Sequence, residues 1–156
     1  MDEAKRELVR EWLIKASRDL TVAKLVARSP EAIWEASLYH CQQAAEKALK
    51  GFLAYWDLPI ERTHNLLLLL KKASQIDPCF EPWKHAAARL TPYSTAYRYP
   101  GELEIPDLEQ VTEALEDAAS LVNQVLSVLP PDVRPHTYKN GDSSTADDAI
   151  DSKPES

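Results

Sequence analysis

Apolar residues recur every three or four positions at Leu8, Trp12, Ala16, Leu20, Ala23 and Ala27. This spacing predicts an amphipathic helix over Ala4 to Arg28, about seven turns long. Ser29 and Pro30 end that run and are predicted to open the next one. Ser29 can accept from unpaired amides, Pro30 is preset for the first helical position, and Glu31 complements the helix dipole. The second helix is expected from Pro30 to about Trp56. It is apolar around most of its circumference, with Ile33, Trp34, Leu38, Cys41, Ala44, Ala45, Ala48, Leu49, Phe52 and Leu53. At 100° per residue its polar side chains, Gln42, Gln43, Glu46, Lys47 and Lys50, gather in one arc with His40 at the margin. A helix so apolar elsewhere has to be central.

Leu58-Pro59-Ile60 breaks the pattern, and Thr63 is the predicted N-cap of a third helix through Leu66 and Leu70 to about Gln75. Asp77-Pro78 and Glu81-Pro82 read as a turn. A fourth helix is expected from Trp83 to about Tyr97, broken or kinked beside Thr91 because Pro92 removes a backbone donor. Asp107 and Gln110 have capping-box spacing and open a fifth helix, which keeps its period through Leu108, Val111, Leu115, Ala118, Val122, Val125 and Leu129 until Pro130-Pro131. The expected architecture is all-α: an up-and-down bundle of four to five helices over residues 1–129, then a disordered acidic tail over 130–156 rich in Asp, Ser and Pro.

With 156 residues there is room for one ordinary domain, and three glycines argue against a strand-and-turn design. No stretch approaches the roughly 18 uncharged apolar residues of a membrane span, and the N-terminus carries Asp2, Glu3, Lys5 and Arg6, so a cytoplasmic protein without membrane partners is expected. Cys41 and Cys79 form no CxxC pair, and His40, His85 and His136 show no ligand spacing, so no disulfide, metal or cofactor is predicted. The net charge of −7 is uneven: residues 1–98 hold 15 basic and 12 acidic side chains, whereas 99–129 hold seven acidic and no basic ones. A broadly basic nucleic-acid footprint is absent, which favours a small or local anion.

Four strings belong together: Trp12…Ala16…Asp19-Leu20…Ala23; Leu38-Tyr39-His40-Cys41-Gln42-Gln43-Ala44-Ala45-Glu46-Lys47-Ala48-Leu49-Lys50-Gly51; Thr63-His64…Leu66; and Arg98-Tyr99-Pro100. In this order and spacing, from about Val9 to Leu126, the sequence resembles the HEPN domain family. The resemblance implies a bundle of four or five helices, usually dimeric through its long helices, associated with nucleotides or RNA and often paired with a minimal nucleotidyltransferase in toxin-antitoxin-like modules. Catalytic members of the wider superfamily are ribonucleases with an Arg, four to six residues, and a His. Here Arg62 is followed at those offsets by leucines, Arg89 by Ser94 to Ala96 and Arg98 by Leu103 to Ile105, while Arg134 stands too close to His136. No catalytic residue is therefore carried over.

Gln43, Lys47 and Lys50 form a ridge of donors that would suit phosphate, or else a solvated or subunit-facing polar surface. Gln42, Gln43 and Glu46 are expected to meet polar groups on a neighbouring helix. Asp19, between apolar neighbours, needs a cation, with Lys47 or Lys50 as the mate of a structural salt bridge. His64 beside a helix start is either part of an anion pocket or a packed ring. Arg98 could fork onto phosphate while Tyr93, Tyr97 or Tyr99 stacks on a base, or it could cap a helix end. A ligand site is expected where Lys47 and Lys50 converge with Arg98, and Trp12, Trp34, Trp56 and Trp83 are expected as core or interface anchors of a homodimer. Three functions follow: a non-catalytic HEPN dimer binding a nucleotide or RNA phosphate beside a separately encoded nucleotidyltransferase; a ribonuclease with a non-standard site such as His64 with Arg98; or a ligand-free interaction module.

Overall fold

The architecture is that of a computed structural model, which describes residues 1–101 and 104–136. Five α-helices follow in order: α1 (Glu3–Arg28), α2 (Trp34–Tyr55), α3 (Leu66–Ile76), α4 (Lys84–Leu90) and α5 (Leu108–Val128). Short 3-10 turns lie at Pro78–Trp83, Thr91–Ser94 and Pro131–Val133, and no strand occurs among the described residues. Asp2 caps α1 by accepting from the Lys5 amide at 2.8 Å. One face of α1, with Val9, Leu13, Ala16, Leu20 and Ala23, is buried, and α1 and α2 pack as an antiparallel pair. Two contacts set their register: Ser37 Oγ donates to the Ala23 carbonyl at 2.8 Å, and Gly51 approaches α1 so closely that a Cβ there would stand 3.1 Å from Trp12 Cβ. The pair is closed by α5 and α3, so 14 of the 22 residues of α2 are buried, and the expected central helix is this one.

Several boundaries differ from the expected ones. Helix α2 starts at Trp34, not Pro30, because the chain must reverse to lay α2 along α1. Ser29 ends α1, its hydroxyl accepts from Glu31 N at 3.3 Å, and Ala32 takes φ +51. The cap of α3 is Asn65, whose Oδ1 accepts from the Leu67 and Leu68 amides, whereas Thr63 accepts from Asn65 N one step earlier. The fourth helix breaks at Thr91, as Pro92 requires, and continues only as a 3-10 turn. Thr91 Oγ1 there accepts from Leu66 N at 3.2 Å and donates to the Ala87 carbonyl at 2.7 Å, tying α3 to α4. Asp107 caps α5 as expected, accepting from Gln110 N at 2.8 Å, but Gln110 does not close a capping box because its amide is used elsewhere. Trp12, Trp34 and Trp83 pack partly buried on the core, while Trp56 is exposed. No described helix is long and apolar enough to cross a membrane.

The ordered chain does not stop at Leu129. Val133 is fully buried, Arg10 donates to the Asp132 carbonyl at 2.7 Å, and Arg134 Nε donates to the Leu129 carbonyl at 2.9 Å. The expectation of disorder from 130 is corrected for 130–136: one buried valine and the contacts of three guanidinium groups, Arg6 with the Asp132 carboxylate included, dock a segment without periodicity. The remainder of the expected tail, 137–156, lies outside the described residues. Cutting the chain after Leu129 is expected to cost about 2–4 kcal/mol, from the lost valine burial and hydrogen bonds, whereas cutting after His136 leaves stability within about 0.5 kcal/mol. Urea unfolding of the two truncations checks this.

Candidate functional site

Two carboxylates organise the outward side of the α1–α2 pair. Asp19 of α1, its side chain 12% exposed, accepts from His40 Nδ1 at 2.9 Å and pairs with Lys47 Nζ through its other oxygen. The antiparallel register places Asp19 opposite this stretch of α2 and leaves Lys50 further along, beside Trp12, whose ring centroid is 6.0 Å from Lys50 Nζ. One turn away, Glu46 is almost wholly enclosed and takes Lys50 Nζ at 2.8 Å on one oxygen and Gln42 Nε2 and His64 Nδ1, both at 2.9 Å, on the other. Gln42 also donates to the His64 carbonyl at 3.0 Å, and Gln43 donates to Gln42 Oε1 at 2.7 Å. Burial would raise the Glu46 pKa, but the hydrogen bonds from Lys50, Gln42 and His64 and the charge of Lys50 outweigh it and hold the group below the ordinary 4.5. It is therefore an ionised anchor that ties the loop before α3 onto α2. Neither lysine is free for a ligand: each is engaged by a carboxylate, and Lys50 is 8% exposed.

A different arrangement surrounds Arg98. The 3-10 turn after α4 carries Tyr93 and the turn that follows it carries Tyr97, their ring planes 27° apart and their centroids 6.5 Å apart. Gln110 Nε2 of α5 donates to both hydroxyls at 3.0 Å, which fixes the loop to α5. Tyr97 has φ +65, a left-handed conformation that a bulky residue rarely adopts, and it turns the following residue back towards α2. The Arg98 guanidinium then lies over Tyr39 of α2, 5.7 Å from the ring centroid. Glu35, Ala36, Tyr39, Ala96, Tyr97 and Arg98 line an open cleft of about 250 Å³. Arg98 has no ion pair and no hydrogen bond to a helix carbonyl among the described residues, so it is a stacked cation and not a helix cap. Tyr99 is 67% exposed and is not among the residues lining the cleft.

The expected convergence of Lys47 and Lys50 with Arg98 does not occur. Arg98 sits at Tyr39, eight and eleven residues before the two lysines, which at 1.5 Å per residue is about 12 and 16 Å along α2. His64 is held at Glu46, seven residues from Tyr39 and about 10 Å from it along the axis. Sequence reasoning misses Glu35 and Tyr39. Their signal is an i, i+4 pair at the start of a helix otherwise buried nearly all round. Burial pushes the Cys41 thiol up to about 12, so it stays protonated inside the core.

The chain that carries these side chains has counterparts among known proteins. The sequence profile of the HEPN domain matches residues 9–128. The chain belongs to the HEPN domain family. A solved HEPN structure, ST0689, an archaeal HEPN homologue, is 26% identical and superposes with a TM-score of 0.61 over 76% of this chain and 95% of that one. TT1696 from Thermus thermophilus is also 26% identical, with a TM-score of 0.67 over 78% of this chain and 98% of that one. No curated protein matches the sequence significantly.

Proposed function

We propose that this HEPN protein is a non-catalytic, homodimeric binder of a nucleotide or RNA phosphate, with its anion anchored by Arg98, and that it acts with a separately encoded minimal nucleotidyltransferase. The observation that carries the ligand reading is the contrast between cations. Lys47 and Lys50 are neutralised by Asp19 and Glu46, whereas Arg98 stands without an ion pair among the described residues, on an aromatic ring at the rim of a cleft. A guanidinium fork suits phosphate, and tyrosine rings suit the face of a base. Cleavage of RNA would need a proton-transfer group and a charge-stabilising cation at one phosphate. The separation of His64 from Arg98 along α2 supports the non-catalytic reading. The dimer rests on Leu8, Val22 and Leu25 of α1, each at least a third exposed on the long helix pair, and the nucleotidyltransferase partner rests on the family.

Titration calorimetry with ATP, a dinucleotide and a short RNA tests the ligand. Binding is expected to be micromolar or weaker at physiological salt and to weaken only modestly as salt rises, since a single guanidinium makes one phosphate contact and attracts little from afar in an acidic protein. Arg98→Ala should lower affinity by about 1.5–3 kcal/mol, and Arg98→Lys should recover only part of it because an ammonium lacks the fork. Lys50→Ala binding like the wild type would agree with its burial. Heat from none of the three ligands would leave the ligand-free interaction module as the better function.

A further inference from the structure

We infer that the Arg98 cleft is selective for guanine, with Glu35 reading the base and Arg98 holding the phosphate; this deepens the nucleotide-binding function proposed above and rests on it. Glu35 lines the same cleft as Arg98, yet no ion pair joins them. Glu35 is exposed and has no hydrogen bond or ion pair among the described residues, although a guanidinium stands in the same small cleft. Glu35 is one turn before Tyr39 on α2, and Arg98 lies over Tyr39 just after the Tyr97 turn, which Gln110 fixes to α5. A cleft with a carboxylate and a separate guanidinium fits a ligand that offers N–H donors to one and negative charge to the other.

Among nucleotide bases, guanine alone presents two adjacent donors, N1–H and the 2-amino group, which match the two oxygens of a carboxylate. Adenine and cytosine offer a single amino group beside an acceptor, and uracil offers one N–H between two carbonyls that repel the carboxylate. The cleft volume of about 250 Å³ holds a base but does not enclose a whole nucleotide. The phosphate then stays at the rim, where Arg98 is exposed, and Tyr39, Tyr97, Ala36 and Ala96 line the rest of the cleft. Free guanine nucleotides and guanine in single-stranded RNA share this chemistry.

The experiment is calorimetry of the full chain with GMP, AMP, CMP and UMP, and with the RNA pentamers UUGUU and UUAUU. GMP is expected to bind at least about tenfold more tightly than the other three mononucleotides. Glu35→Gln, an exposed change whose melting curve should match the wild type, should bring GMP down to the level of AMP and leave AMP unchanged, because glutamine has one acceptor where guanine needs two. Arg98→Ala should weaken all four by a similar factor. Tighter binding of UUGUU than of GMP would place the guanine in RNA, and the reverse would place it in a free nucleotide. Equal affinities for the four bases, or Glu35→Gln binding GMP as the wild type does, would overturn guanine selectivity while leaving nucleotide binding standing. No binding of any mononucleotide or pentamer would overturn both.

Discussion

Replacing Glu46 by alanine is expected to destabilise the protein by about 3–5 kcal/mol, the range for breaking a buried ion pair from one side. The loss leaves Lys50, 8% exposed, with the Trp12 ring as its remaining contact, and removes one of the two acceptors of Gln42 and the partner of His64 Nδ1. A second substitution separates this from simple loss of volume. Lys50→Met added to Glu46→Ala should restore most of the stability, since an apolar pair in place of a buried ion pair is often neutral. If the double variant is as unstable as the single one in urea, the uncompensated ammonium is not the cause. The pair also gives the fold an acid limit. The folded pKa of Glu46 lies below the ordinary 4.5, so its contribution is fully present above that value and disappears as pH falls through the folded value. Unfolding free energy should therefore decline on acidification below about pH 4.5, and part of the decline should be missing in Glu46→Gln.

Long amphipathic helices declare themselves because many residues repeat one spacing, and the starts of α1 and α5 fall within a residue or two of the expected ones. The start of α2 departs from expectation because Ser29-Pro30-Glu31 satisfies local rules for a helix start, whereas the chain reversal that puts Ala32 in a left-handed conformation is a tertiary demand. The same division runs through the site. Asp19 is recognisable in the sequence as a carboxylate in need of a cation, but the choice of Lys47 over Lys50 follows from the register set by Gly51 against Trp12 and Leu13. The cleft is less legible. It forms where Tyr39 meets a residue 59 positions later, and the meeting depends on the backbone at Tyr97 and on Gln110 reaching two tyrosines, although its spacing from Asp107 suggests a capping box.

Phe80→Ala is expected to cost about 3–5 kcal/mol, as large a loss as any single core truncation in the protein. Phe80 lies in the stretch between Asp77 and Trp83 that reads as a turn, yet it is fully buried, and its ring sits 4.7 Å from that of Phe52 on α2. These are the two phenylalanines of the chain. Asp77 shapes the 3-10 turn by accepting from Cys79 N at 3.0 Å, and that turn aims Phe80 inward, so one ring fastens the α3–α4 connection to the central helix. Phe52→Ala should cost a similar amount, and the double variant should lose less than the sum of the two by about 0.5–1.5 kcal/mol, the coupling of an aromatic pair. Because α4 leads into the tyrosine turn, Phe80→Ala should also weaken the nucleotide binding proposed above, whereas Phe80→Leu, which keeps most of the volume, should bind like the wild type. A cost below about 1 kcal/mol for Phe80→Ala in urea unfolding would mean that α3 and α4 are held by Leu66, Leu69, Leu70 and Leu90 without the aromatic pair.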